Sequence, residues 1–207
     1  DRWSRNIIAE LRGSTYPDEI VLLGGHIDSW DVGQGAHDDA GGCLVSWEAV
    51  RLIKKLNFKP KRTIRCVLWT NEENGGRGSI AYRDMHLDEL DKHIVTIVSD
   101  DGVFAPEGFA FSGSAEAKKV IEKISMLMKS INANKLTENR RTSDVLILND
   151  EGIPSLSLFV DNPKYFWYHH SSADTFDKVD FHEFNKCVSA LSIMAYVIAD
   201  LNSPLWR

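Results

Sequence analysis

The chain has 207 residues, of which 43% are hydrophobic, and this is enough for one packed domain. The net charge of −6, without any basic cluster with interleaved aromatic residues, argues against nucleic acid and anionic membrane surfaces as partners. No apolar run reaches the roughly 18 to 20 residues that a membrane span requires.

Five apolar runs predict β-strands that alternate with helices along the chain. The strand predictions cover residues 6–11, 20–25, 63–70, 93–99 and 153–160. The later runs are apolar at nearly every position, which is typical of strands covered on both faces. The order of elements therefore predicts an α/β layer architecture.

Helical periodicity appears at residues 42–56 and 114–131 and in a last helix that begins at Asp180. Asp180 and Glu183 have the spacing of a capping box. The polar residues 132–143 predict an exposed loop. The expected core positions of the three helices are Leu44, Trp47, Ile53 and Leu56; Val120, Ile121, Ile124, Leu127, Met128 and Ile131; and Phe184, Cys187, Val188, Leu191, Ala195 and Ile198.

The three cysteines lie inside apolar stretches and lack the short spacing of a metal site. They are Cys43, Cys66 and Cys187. We expect buried free thiols, with a disulfide as the less favoured alternative.

Acidic residues and histidines follow four of the predicted strands. In open α/β sheets the carboxyl ends of parallel strands share one edge, and ligands bind in the crevice there. Four segments that are distant in sequence are therefore expected to deliver their side chains to one place. The residues concerned are His26 and Asp28, Glu72 and Glu73, Asp100 and Asp101, and His169 and His170.

Each cluster taken alone also has an ordinary structural explanation. Asp38 and Asp39 suit the start of a helix, although the surrounding glycines would also let the backbone approach a ligand. Asp174 can orient a nearby imidazole. Taken together, oxygen and nitrogen donors without thiolates fit zinc or a similar divalent metal at a catalytic site.

Several ordered motifs between residues 4 and 200 resemble the co-catalytic di-zinc exopeptidases. They are HIDSWDVGQGA at residues 26–36, the pair Asp38–Asp39, LWTNEE at 68–73, Ser99–Asp100 and HHSSADT at 169–175. The first of these is similar to the carboxypeptidase branch of the family. The resemblance implies a three-layer α/β/α fold with a mostly parallel mixed sheet, and small peptides as substrates.

The resemblance also implies two zinc ions per chain. His26 and Asp100 would be terminal ligands of one ion, Glu73 and His170 would hold the other, and Asp38 would bridge both. The neighbouring His37 stands where family members carry a small or apolar residue, which could alter metal affinity.

Further roles are implied for residues beside these ligands. Glu72 takes the position of the general base, and Asp28 matches the acid that supports the first histidine. We expect His169, or a neighbouring tyrosine at Tyr165 or Tyr168, to donate to the oxyanion.

Three alternatives remain open at this stage. The chain could be a di-zinc aminopeptidase or dipeptidase, a glutaminyl cyclase, or a non-catalytic peptidase-like receptor or dimerisation ectodomain. Retention of all five ligands and Glu72 argues against the last two. Because the family proteins are longer, residues 1–207 are expected to be the catalytic domain of a longer protein, without its upstream segment and protease-associated domain. The resemblance suggests a secreted or lysosomal homodimer.

Overall fold

The computed structural model describes residues 2–138 and 143–205. The strands among these residues are β1 (Ile7–Leu11), β2 (Tyr16–His26), β3 (Arg62–Trp69), β4 (His93–Ser99), β5 (Pro106–Ser112), β6 (Lys135–Glu138) and β7 (Ser155–Val160). They form one sheet in the order β1-β3-β2-β4-β7-β5-β6. The four central strands are mutually parallel, whereas β1 runs antiparallel to β3 and β5 antiparallel to β7. The mostly parallel mixed sheet is therefore confirmed.

Helices cover both faces of this sheet. They are α1 (Gly41–Lys55), α2 (Arg77–Met85), α3 (Ala115–Ser125), α4 (Ser143–Asp150), α5 (Tyr165–Tyr168) and α6 (Phe181–Asp200). One apolar core lies between the sheet and α1, α3 and α6, and a second, smaller core contains residues of α2 and α4. In β2, Val21 and Leu23 contribute to the first core, while Ile20 and Leu22 contribute to the second. The alternation places helices on both sides, so the three-layer fold is confirmed.

All five predicted strands are present, with shifted ends, but β5 and β6 were not predicted. Pro106 and Gly108 interrupt the strand pattern of β5, because both residue types are uncommon within strands. β6 is short, polar and paired only with β5 among the described residues, so the prediction of a loop was wrong at residues 135–138. The rest of that predicted loop includes residues 139–142, which lie outside the described residues.

The predicted core face of α1 was right at Ile53, which is buried, but wrong at the other three positions. Leu44, Trp47 and Leu56 are 54%, 43% and 55% exposed. The helix instead turns its small residues to the sheet, including Gly42, Cys43, Ser46 and Ala49. A Cβ atom built on Gly42 would lie 1.8 Å from the carbonyl oxygen of Ser99, so the helix approaches the end of β4 more closely than any larger residue permits.

In α3 and its extension Met126–Ile131, the predicted stripe is largely confirmed: Ile121, Ile124 and Met128 are buried, but Leu127 is exposed.

The predicted start of α6 is confirmed. The Asp180 carboxylate accepts hydrogen bonds from the backbone N–H groups of His182 and Glu183 at 2.7 and 3.1 Å. These bonds satisfy donors that the first turn of a helix leaves unpaired. None of the helices in the described ranges is long and apolar enough to cross a membrane.

The cysteine prediction is also confirmed, because all three cysteines are buried and none of them forms a disulfide. Burial raises the pKa of Cys66 and of Cys187 to about 12. Such thiols stay protonated and unreactive at neutral pH.

Candidate metal centre

The carboxyl ends of the central parallel strands meet at one edge of the sheet, as the sequence predicted. There, three overlapping groups of side chains present nitrogen and oxygen atoms that lie within 4.8 Å of one another. The members of these groups are His26, Asp38, Asp39, Glu73, Asp100, His169 and His170. All five predicted metal ligands are among them, whereas Asp101 belongs to none of these groups.

His26 is the last residue of β2 and is fully enclosed. Its Nδ1 donates to the backbone carbonyl of Asp28 at 2.8 Å, so Nε2 is the atom left to face the site. Nε2 lies 3.2 Å from Asp38 Oδ1 and 3.3 Å from Asp100 Oδ1. Burial alone would lower the pKa of His26, but the carboxylates of Asp100 and Asp38 outweigh burial and raise it. The site thus has a strong electrostatic demand for positive charge.

Asp38 lies between His26 and His170, which belong to different segments of the chain. Its Oδ1 faces His26, and its Oδ2 lies 3.3 Å from His170 Nε2. One oxygen of this carboxylate thus faces each histidine. A carboxylate that bridges two cations would have the same placement.

Asp39 is joined to Asp38 by a cis peptide bond and serves the backbone instead. Its Oδ2 accepts from the N–H of His26 at 3.0 Å, and its Oδ1 accepts from the N–H of Gly42 at 3.1 Å. Asp39 also belongs to one of the three donor groups, but both of its oxygens already bind N–H groups. We therefore favour Asp38 as the ligand.

Glu73 completes the other side of the site together with His170. Glu73 Oε2 lies 2.9 Å from His170 Nε2 and accepts from the indole N–H of Trp30 at 2.8 Å. The Trp30 ring also lies against the His170 ring, with centroids 5.2 Å apart. The side chain of His170 is 38% exposed and that of His26 only 1%, so the site opens to solvent on the His170 side.

Two buried carboxylate oxygens indicate that cations fit this arrangement. Asp38 Oδ2 and Glu73 Oε1 accept no hydrogen bond from the described residues. A buried acceptor without a partner is costly, and buried charges normally pair or coordinate metals. The donor set of imidazoles and carboxylates is one that zinc uses at catalytic sites. The residues present therefore fit a divalent metal.

Glu72 lies beside the ligands and is held by Asp28. The Asp28 carboxylate accepts from the backbone N–H groups of Glu72 and Glu73 at 3.0 and 3.3 Å. The same carboxylate lies 3.9 Å from His26 Nδ1. Asp28 therefore supports His26 mainly through its backbone carbonyl, and it supports the turn at Glu72 and Glu73 through its side chain. Burial, with the nearby carboxylates of Asp100 and Glu73, raises the pKa of Glu72 to about 7.

His169 lies at the open rim of the site. Its Nε2 is 3.6 Å from Asp38 Oδ2, and its ring stacks on that of His170 with centroids 3.6 Å apart. The centroid of the Tyr165 ring lies 5.1 Å from that of the His169 ring. Burial and the carboxylates of Asp100 and Asp38 raise the pKa of Tyr165, so its phenol keeps its proton and remains a donor. Tyr168 instead stacks its ring on His37.

Asp174 holds the backbone of the Asp38 turn. Its Oδ1 accepts from the N–H of His37 at 2.7 Å and its Oδ2 from the N–H of Asp38 at 3.1 Å. The suggested contact with an imidazole is not among its hydrogen bonds. A buried acid on the segment after His170 therefore fixes the turn that presents the central carboxylate.

Residues 6–195 match the model of peptidase family M28. The chain belongs to peptidase family M28. Carboxypeptidase Q from Mus musculus is similar: it is 42% identical to this chain over 207 residues, which is 100% of this chain and 44% of that protein. The chain thus spans less than half the length of this relative, and the predicted resemblance to the carboxypeptidase branch is confirmed over the whole chain.

Solved structures show the same fold. A peptidase M28 precursor from Shewanella amazonensis aligns with a TM-score of 0.92 and 35% identity, over 98% of this chain and 46% of that chain. BSAP, a zinc aminopeptidase from Bacillus subtilis, aligns with a TM-score of 0.79 and 22% identity, over 95% and 50%. The second likeness shows the shared architecture alone.

The sequence did not predict the roles that three residues have at this site. They are Trp30, Asp39 and Asp174. A tryptophan in a glycine-rich polar loop is a signal that could have identified Trp30, because such a loop offers no core to fill. The roles of the two acids could not be found in this way, since each depends on which backbone N–H groups the fold brings to its carboxylate.

Proposed function

We propose that this chain is the catalytic domain of a zinc metallo-exopeptidase of the carboxypeptidase or dipeptidase type, which hydrolyses dipeptides or short peptides. The observation that carries the proposal is the Asp38 carboxylate, with one oxygen toward His26 and the other toward His170. Family membership and the similarity to carboxypeptidase Q support the same reaction class.

In this proposal the chain binds two zinc ions. His26 and Asp100 would hold one ion, Glu73 and His170 would hold the other, and Asp38 would serve both. The distances between these side chains support the assignment, as do the buried oxygens of Asp38 and Glu73 that accept no hydrogen bond from the described residues. When bound, the zinc ions supply Lewis-acid polarisation of the scissile carbonyl and lower the pKa of the attacking water.

Glu72 is the proposed general base. Its carboxylate takes a proton from the water that attacks the peptide carbonyl and then gives that proton to the leaving amine nitrogen. Asp28 orients Glu72 by accepting the N–H groups of the glutamate turn.

His169 is the proposed donor to the oxyanion. It lies at the open side of the site, next to Asp38 and stacked on His170, where a substrate carbonyl would enter. Tyr165, which keeps its phenol proton, is the alternative donor from the same segment.

Glu72→Gln tests the proposal directly. The amide has the size of the carboxylate but cannot accept the proton, so we expect the variant to retain zinc and lose nearly all hydrolysis. Zinc content by elemental analysis and turnover of a dipeptide panel, with and without chelator, are the measurements. Glu48→Gln, at a surface glutamate of α1, is the matched control. An active Glu72→Gln variant would remove Glu72 from the role of base.

A di-zinc aminopeptidase is the second candidate, favoured by the fold shared with BSAP. The catalytic residues would be the same, and only recognition of the peptide end would differ. Peptides blocked at the amino end or at the carboxyl end separate the two activities, because each enzyme class requires its own free terminus.

The location and assembly of the whole protein are proposed from the family resemblance. We propose a secreted or lysosomal homodimer. Light scattering after size-exclusion chromatography measures the oligomeric state, and fractionation of cells that produce the full-length protein measures the location.

A further inference from the structure

The imidazole of His37 lies among three chain segments, which carry the proposed metal ligands Asp38, Asp100 and His170. His37 itself precedes Asp38. Its ring stacks on Phe104, which follows Asp100 by four residues, with centroids 4.3 Å apart and planes inclined by 7°. Tyr168, two residues before His170, lies beside both rings, with its centroid 5.4 Å from that of His37 and 6.4 Å from that of Phe104. His37 is fully buried.

Both ring nitrogens of His37 bind backbone groups of these segments. The N–H of Val103 donates to Nδ1 at 3.2 Å, so Nδ1 carries a lone pair. The hydrogen is therefore on Nε2, which lies 3.4 Å from the carbonyl oxygen of Lys178. With both nitrogens occupied, the ring is not available as a ligand.

The ligands need such support because their charges repel one another. Asp38 and Asp100 both approach His26 Nε2, at 3.2 and 3.3 Å, so two carboxylates lie close together and repel each other when no cation lies between them. Asp174 holds only the backbone of residues 37 and 38. His37 is the side chain that adds a direct contact with the Asp100 segment.

We infer that His37 is a positioning residue that fixes the spacing of the Asp38, Asp100 and His170 segments for zinc binding. The inference rests on the proposed zinc site. Phenylalanine at this position would keep the stacking but accept no hydrogen bond from Val103, and glutamine would keep a hydrogen bond but lose the stacking.

The test measures zinc affinity of the full chain by competition with a chromophoric chelator. We expect His37→Phe and His37→Gln to bind zinc about 10- to 100-fold more weakly than the wild type, the usual effect of losing an outer-shell partner. The stability of each zinc-free variant is measured alongside by urea unfolding.

His93 provides the matched control, because it is another fully buried histidine with both nitrogens bonded. Its partners are the hydroxyl of Tyr82 and the carbonyl of Glu89, and none of them is a metal ligand. His93→Phe should lower the stability of the zinc-free protein and leave zinc affinity unchanged. If it weakens zinc binding as much as His37→Phe does, the effect is general loss of packing and the positioning role is wrong.

Other outcomes separate this inference from the proposed function. Wild-type zinc affinity in folded His37→Phe overturns the inference and leaves the zinc site intact. A wild-type chain that binds no zinc overturns both. If His37→Phe does not fold, Phe104→Leu is the substitute test, because it removes the ring that stacks on His37. This variant is also expected to bind zinc more weakly than the wild type, and unchanged affinity overturns the inference.

Discussion

Replacing Asp174 by asparagine tests how the turn that presents Asp38 is held. The Asp174 carboxylate is buried and accepts two backbone N–H groups, at 2.7 and 3.1 Å. Asparagine offers only one acceptor oxygen, so its NH₂ group must face the second N–H. The change therefore removes one hydrogen bond to a charged group and leaves a buried donor without an acceptor.

The structure allows the size of this effect to be worked out. Loss of one hydrogen bond to a charged group, together with the unsatisfied buried donor that it leaves, costs about 3 kcal/mol. For a domain of this size, that loss lowers Tm by about 6 to 12 °C. Circular dichroism during heating, with and without zinc, measures the shift.

Asp177→Asn is the control, because Asp177 is exposed and lies three residues further along the same segment. It bonds the hydroxyl of Thr175 and its neighbour Lys178 at the surface. We expect no measurable change in Tm for this variant. If Asp174→Asn is also unchanged, the two hydrogen bonds do not hold the turn and the reasoning is refuted.

Three further outcomes are expected. Asp38→Ala should lose zinc stoichiometry, measured by elemental analysis, because Asp38 is the proposed bridge between the two ions; a variant that holds two zinc ions rules out the bridge. His169→Phe should lower kcat about 100- to 1,000-fold if His169 stabilises the oxyanion, and an effect on KM alone counts against this role. Burial lowers the pKa of His93 to about 4, so unfolding takes up a proton below pH 6.5 and stability is lost as the pH falls toward 4. Between pH 7 and pH 5 the wild type should lose about 2 kcal/mol more than His93→Gln in urea unfolding, and equal losses would contradict this assignment.

The positions of the candidate ligands could be predicted because the sheet has a simple rule. Each central strand was visible as an apolar run, and the acids and histidines follow those runs. His26 ends β2, Glu73 follows β3 and Asp100 follows β4. Parallel strands carry such residues to a common edge whatever the details of packing.

The choice between adjacent acids could not be made from chemistry alone. Asp38 and Asp39 are identical side chains, and only the backbone conformation of their turn sends one toward the histidines and the other toward N–H groups. The family resemblance indicated Asp38 in advance. The backbone contacts of Asp39 provide a physical reason for the same choice.

The face of α1 was misjudged for a related reason. Hydrophobic periodicity assumes that the largest apolar residues are the buried ones. Here the distance between helix and sheet is so short that Leu44 and Trp47 cannot fit between them, and smaller residues take the buried face. Sequence periodicity contains no measure of this distance.

The close contact of α1 with the sheet also changes what counts as part of the site. Gly25 has no room for a side chain, because a Cβ atom there would lie 2.4 Å from Asp39 Oδ2, and Gly42 is confined between Ser99 and Asp39. Neither glycine offers a donor atom to a metal. In a saturation library screened for zinc retention, both positions should nevertheless be as intolerant as the ligands, so a map of mutational sensitivity would outline the space between helix and sheet as well as the coordinating atoms.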